Sequence, residues 1–135
     1  MTSTPPRASA ARVSGVAVAA VFVAGMLGSA LRYSLGVLIP NSTTEFPTAT
    51  LIINVVGAFA LGYLTSRLWP TAPVWLRAAL GPGLLGSFTT FSAVMVALVT
   101  LAEDDQFAVA ALYLIATLVV GFGAAGLGLW IGRRR

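Results

Sequence analysis

A few polar side chains in this sequence have the types and spacing to handle an ion inside an apolar chain. Thr50 and Asn54 lie four residues apart, on one face of a helix, and Tyr113, Thr117 and Gly121 repeat that i, i+4, i+8 spacing further along. An amide offers two donor hydrogens and an acceptor oxygen, and a hydroxyl can both donate and accept. In hydrocarbon each such group needs a partner, a cavity or a ligand, because an unsatisfied polar group there costs several kcal/mol. From spacing alone two readings stay open. Asn54 serves either an interhelical hydrogen bond or a bound species. Thr117 bonds back to its own helix while Tyr113 anchors at an interface, or both belong to a polar stripe on a Leu/Ala/Val helix. Arg32, the one charged residue more than a turn inside an apolar stretch, lies toward its loop end, where it either snorkels or marks a functional site.

The segment LGPGLLGSFTTFS, residues 80–92, falls where a continuous helix is expected. Pro82 has no backbone N–H, Gly81, Gly83 and Gly86 loosen the backbone, and the hydroxyls of Thr89 and Thr90 bond locally. A helix break over 86–90 follows. Irregular backbone at membrane depth persists only inside protein or along a cavity, and freed carbonyls suit a hard cation such as sodium. Phe91 and Ser92 then resume the helix with a hydroxyl and an aromatic ring whose positive edge can meet an anion.

The elements that must position these groups are membrane helices. With 58% hydrophobic and 9% charged residues and a mean hydropathy of +0.93, the chain is far from the soluble balance of about one-quarter charged. Four stretches, 13–38, 48–68, 74–101 and 107–131, meet the requirement of about 20 largely apolar residues for a span. PNSTTEFP, WPTAPVW and AEDDQ separate them with turn and interface residues. The expected fold class is an all-α membrane protein with four transmembrane helices, the third broken. One transmembrane domain, 13–132, follows a disordered basic tail over 1–12 and precedes a basic C-terminus at 133–135. The first apolar run is long for a signal-peptide core and leads into three further spans, so it reads as a membrane helix. Four short helices make a thin bundle. Small residues at contact spacing, Ala24 with Gly28 and Ala124 with Gly128 and Gly132, serve either oligomerisation or packing within the chain.

Cysteine and histidine are both absent, which excludes disulfides, thiolate or imidazole metal sites and His-based acid/base catalysis. No nucleophile–base pair is present, so an enzyme is not expected. The basic residues cluster at span ends rather than on a nucleic-acid-binding face, and no nucleic-acid partner is expected.

GMLGSALRY (25–33), TLIINVVGAFALG (50–62) and GSFTTFS (86–92), distributed over four short spans, resemble the Fluc (CrcB) family of small fluoride channels. The resemblance covers nearly the whole chain after the N-terminal tail. It implies passive fluoride export that lowers cytoplasmic fluoride, through narrow pathways in an antiparallel dimer in the cell membrane, with a structural sodium ion at the interface. By position it implies a fluoride pathway at Asn54, Phe91, Tyr113 and Thr117, and the hydroxyls of Thr50 and Ser92 are counted on the same pathway from their own placement. It also implies a vestibule arginine at Arg32 and sodium ligation by the backbone carbonyls of Gly86 and Thr89. Two positions depart from the family pattern: Val94 stands where a second phenylalanine is usual, and Gly121 where serine is usual. A fluoride path must replace water around a small, strongly hydrated ion with donors, without full cationic charges that would hold it too tightly.

A small multidrug antiporter shares a four-helix dimeric plan but needs an intramembrane carboxylate, whereas Glu45, Glu103, Asp104 and Asp105 all read as loop residues. A fluoride/proton antiporter and an assembly subunit that does not complete a pore are the alternatives kept. Four spans place both termini and the loop between spans two and three on one side, with Arg7, Arg12, Arg67, Arg77, Arg133, Arg134 and Arg135. The four acids occupy the other side. Arginines in short loops stay in the cytoplasm, so cytoplasmic termini are expected, and so strong a bias suits a related partner subunit of opposite topology better than dual insertion of one chain.

Overall fold

A computed structural model describes residues 14–39 and 46–134, so the tail expected over 1–12, Glu45 and Arg135 lie outside the described residues. In chain order those residues form α1 (Gly15–Leu38), α2 (Thr48–Arg67), α3 (Val74–Ala78), a π-helical segment (Ala79–Leu85), α4 (Gly86–Phe88), α5 (Ser92–Glu103) and α6 (Phe107–Arg133). Helices α1, α2 and α6, of 24, 20 and 27 residues, and the interrupted run Val74–Glu103 are long and apolar enough to cross a membrane. At 1.5 Å per residue, 20 residues already match the roughly 30 Å hydrocarbon core. The chain is a multi-pass membrane protein.

The interruption of the third span has two parts. Around Pro82 the helix does not break but widens: the Gly86 N–H reaches the Gly81 carbonyl, five residues back, and the Gly83 carbonyl. Pro82 lacks an N–H, and its ring would clash with the carbonyl four residues before it in a regular α-helix; the wider turn relieves both problems. The true break follows at Thr89, Thr90 and Phe91, where Thr89 turns extended (φ −78°, ψ 161°) before α5 begins.

Glycine contacts fix how the spans run together. A Cβ at Gly62 would strike the Ala125 carbonyl, one at Gly128 the Phe59 carbonyl and one at Gly132 the Ser66 hydroxyl, so α2 and α6 lie backbone to backbone. Gly62 sits against the stretch from Ala125 to Leu129 and Ser66, further along α2, against Gly132, further along α6, so the two helices run parallel. A Cβ at Gly28 would strike the Leu84 carbonyl, and Gly83 sits against Val21 and Ala24, which makes α1 and the first half of the third span a second parallel pair. The small residues at Ala24, Gly28, Gly128 and Gly132 therefore serve packing within the chain.

Helix α5 ends in a Schellman motif: the Gln106 N–H bonds to the Leu101 carbonyl at 2.8 Å and the Asp105 N–H to the Ala102 carbonyl at 3.2 Å. Asp105 takes the left-handed position (φ 57°) usually filled by glycine. Arg67, Arg77, Arg133 and Arg134 lie at the opposite end of the bundle, with all three tryptophans, and the Arg134 guanidinium stacks 3.2 Å from the Trp130 ring centroid.

Candidate functional site

Asn54, near the middle of α2, makes the central contact of the site. Its Nδ2 donates to the Thr90 carbonyl at 2.9 Å, and its Oδ1 accepts the Thr90 N–H, also at 2.9 Å. The interhelical bond that the spacing left open is thus present, and it is made to the broken backbone rather than to a side chain. An amide has two donor hydrogens, so one remains for another acceptor. Thr90 also caps α5, its Oγ1 accepting the Ala93 N–H at 3.2 Å. In the sequence Thr90 reads only as a local hydroxyl, and nothing there signals its pairing with Asn54.

Two hydrogen bonds at the break are diverted from their helical partners. In an uninterrupted α-helix the Thr90 N–H would donate to the Gly86 carbonyl and the Ala93 N–H to the Thr89 carbonyl. Here the first goes to Asn54 and the second to the Thr90 hydroxyl. The two carbonyls expected from the resemblance to ligate sodium are therefore those whose helical donors point elsewhere, and neutral carbonyl oxygens fit a hard monovalent ion. Gly86 is exposed and Thr89 half-buried, at the edge of a groove.

That groove, of about 580 Å³, runs from Trp69, Gly81 and Pro82 past Gly86, Thr89 and Asn54 to Phe91, Val94 and Thr117. A second groove of about 450 Å³ shares Asn54 and Thr117 and continues along Gly121, Phe122 and Thr65. Asn54 and Thr117 thus stand where two open grooves meet. Phe91 lies on the rim of the first, 76% exposed, with its ring on the outside of the single chain. Val94 is buried at 3% exposure, whereas Gly121 faces open space.

Beyond Thr117 the polar groups go inward. Tyr113 is wholly buried, beside the hydroxyls of Thr50 and Thr117. Despite that proximity, the Tyr113 and Thr117 oxygens have no well-formed hydrogen bond among the described residues. Thr117 does not bond back to its helix, nor is Tyr113 an interface anchor. With half-buried Thr50 they form a cluster of hydroxyls that reaches the Asn54 grooves through Thr117. Ser92 is exposed and outside both groove linings, its hydroxyl 3.2 Å from that of Thr90. Arg32 is half-buried on α1, about 9 Å from the helix end at 1.5 Å per residue, and also outside both linings.

A family model described as CrcB-like protein, Camphor Resistance (CrcB), matches residues 19–129. The chain belongs to the CrcB-like family. Relatives in this family bear out the assignment. The chain is 41% identical over 112 residues to fluoride-specific ion channel FluC 2 of Geobacillus kaustophilus, covering 81% of this chain and 87% of that one. It is 43% identical over 117 residues to fluoride-specific ion channel FluC 1 of Leifsonia xyli subsp. xyli, covering 85% of each. With fluoride-specific ion channel FluC 3 of Streptomyces avermitilis it shares 42% identity over 119 residues, 86% of this chain and 58% of that relative. The family relatives are named as channels and not as enzymes.

Proposed function

We propose that this chain is a subunit of a fluoride-selective channel that lowers cytoplasmic fluoride by passive export across the cell membrane. The observation that carries the reading is the pair of hydroxyls of Tyr113 and Thr117, whose buried oxygens have no hydrogen-bond partner among the described residues, with Thr117 lining both Asn54 grooves. A bare fluoride ion needs donors in place of water, and these groups offer donors without a formal charge. Its relatives' names support the choice of ion. Asn54 and Phe91 act at the groove, Thr50, Tyr113 and Thr117 along the buried track, with Ser92 beside the break and Arg32 as a vestibule charge. Sodium, held by the carbonyls of Gly86 and Thr89, satisfies the acceptors freed at the break and fixes its shape.

The open grooves and the exposed Phe91 suit completion by a second subunit in antiparallel orientation. The arginine and tryptophan end favours the cytoplasm, with both termini. With acids only at the other end, among the described residues, insertion in both directions is disfavoured, which supports a related partner of opposite topology. No described carboxylate lies in the middle of a span, a point in favour of passive conduction over proton exchange.

Fluoride efflux from liposomes bearing the purified chain, alone and with a candidate partner subunit, tests the reading. Efflux is expected in sodium and not in sodium-free choline medium, and a sodium gradient is not expected to drive fluoride uphill. Absence of fluoride-specific efflux under every condition would overturn the channel assignment.

A further inference from the structure

The hydroxyl track is closed at one end within a single copy of the chain. Tyr113 has no solvent exposure before any second subunit is considered, and at the end of the bundle that carries Glu103, Asp104 and Asp105 its cover is Phe46. The Phe46 and Tyr113 rings stand perpendicular, with centroids 5.4 Å apart. Phe46 is held in place by its own backbone. The Thr48 N–H and hydroxyl both donate to the Phe46 carbonyl, at 2.7 and 3.1 Å, and the intervening Pro47 is buried. A residue before proline also has restricted dihedrals.

We propose that Phe46 is the aromatic constriction that closes the acidic end of the hydroxyl track and sets the size of anion that passes. This rests on the reading of Thr50, Tyr113 and Thr117 as the fluoride pathway. Hydroxyl donors attract chloride as well as fluoride, so donors alone do not select by size. A perpendicular ring pair presents a positive edge along which a small bare anion can pass. A larger anion requires the ring to move bodily, which the pinned Phe46 backbone resists.

The chain has no cysteine, so Thr50→Cys introduces a single thiol of nearly threonine size on the track. In permeabilised cells expressing the full chain, its modification by a small charged methanethiosulfonate is expected to quicken about tenfold when Phe46→Ala is added, since access then needs no local opening. In fluoride and chloride efflux assays, Phe46→Ala is expected to lower the fluoride-to-chloride flux ratio about tenfold. Phe46→Leu, closer in volume, is expected to fall between, and it guards against a misfolded alanine variant. Equal thiol reactivity with and without Phe46 overturns the constriction. Raised reactivity with an unchanged flux ratio overturns its role in selection. If no variant moves fluoride, the channel reading fails, while the thiol rates still decide whether Phe46 closes the track.

Discussion

Asn54 and Thr90 form a closed ring of two hydrogen bonds, each 2.9 Å, in which one side-chain amide replaces both backbone partners that Thr90 gave up at the helix break. The residue with the chemistry to meet an anion is thus also the brace of the backbone bend. By taking the Thr90 N–H it keeps the Gly86 carbonyl from being closed back into the helix. The proposed anion pathway and the proposed cation ligands thus share one side chain.

Replacing Asn54 should therefore have two separable effects. Asn54→Ala removes both bonds and is expected to cost about 2 kcal/mol of stability at roughly 1 kcal/mol per bond, read from unfolding of the detergent-solubilised protein. It should also shrink the rise in melting temperature expected in sodium over choline if the proposed sodium site is present. Asn54→Asp keeps an acceptor for the Thr90 N–H but repels an anion, and fluoride efflux is expected to vanish. Efflux at half the original rate or more would remove Asn54 from the pathway.

Gly128→Ala should be far more damaging than its single methyl suggests. The new Cβ would meet the Phe59 carbonyl, forcing α2 and α6 apart, and a loss of about 1–3 kcal/mol is expected from overpacking. Gly36→Ala, where the Cβ would have nothing within 4 Å, should leave stability unchanged or slightly higher. Comparable yields of folded protein for both variants would contradict the close contact.

The two departures from the family pattern should respond differently to reversion. Val94 is buried, so Val94→Phe is expected to overpack and lose about 1–3 kcal/mol rather than repair a pathway. Gly121 faces open space on the second groove, so Gly121→Ser should fold normally and add a donor there, raising fluoride efflux or leaving it intact. A destabilised Gly121→Ser protein, or a fully stable Val94→Phe protein, would count against these placements.

Asp105 holds a left-handed backbone conformation at the end of α5. Asp105→Gly should stabilise the chain by about 0.5–1 kcal/mol without altering efflux, and Asp105→Val should destabilise it by about 1 kcal/mol or more. Thermal unfolding of the two variants side by side checks the order.

Much of the fold is legible in the sequence because a bilayer asks a simple question of it. Four long apolar runs separated by polar turns leave little choice of secondary structure. The span ends differ from expectation by small amounts: α2 stops at Arg67, α5 continues to Glu103 and α6 to Arg133, because charged residues can finish a helix at the interface. Gly81, Pro82 and Gly83 signalled a disturbance, but not that it would be a π turn with the break displaced to Thr89, Thr90 and Phe91. The outcome depends on which carbonyls find donors, and Asn54, in a different helix, supplies one of them. Phe46 was invisible for a similar reason: a phenylalanine beside a proline reads as part of a loop until the residue it covers, far away in sequence, is in place.

The π turn around Pro82 closes its bonds over five residues instead of four, and so it absorbs extra chain without lengthening the span in proportion. Each residue of an α-helix rotates the following face by about 100°, so this turn sets the angular phase between the Trp69 and Arg77 end and the hydroxyl cluster at the break. It works as a vernier. Deleting Pro82, whose missing N–H and ring the wider turn accommodates, would let the span revert to a plain α-helix there with little rotation of Thr89 and Phe91, whereas deleting one residue within α2 before Asn54 would swing Asn54 away from Thr90.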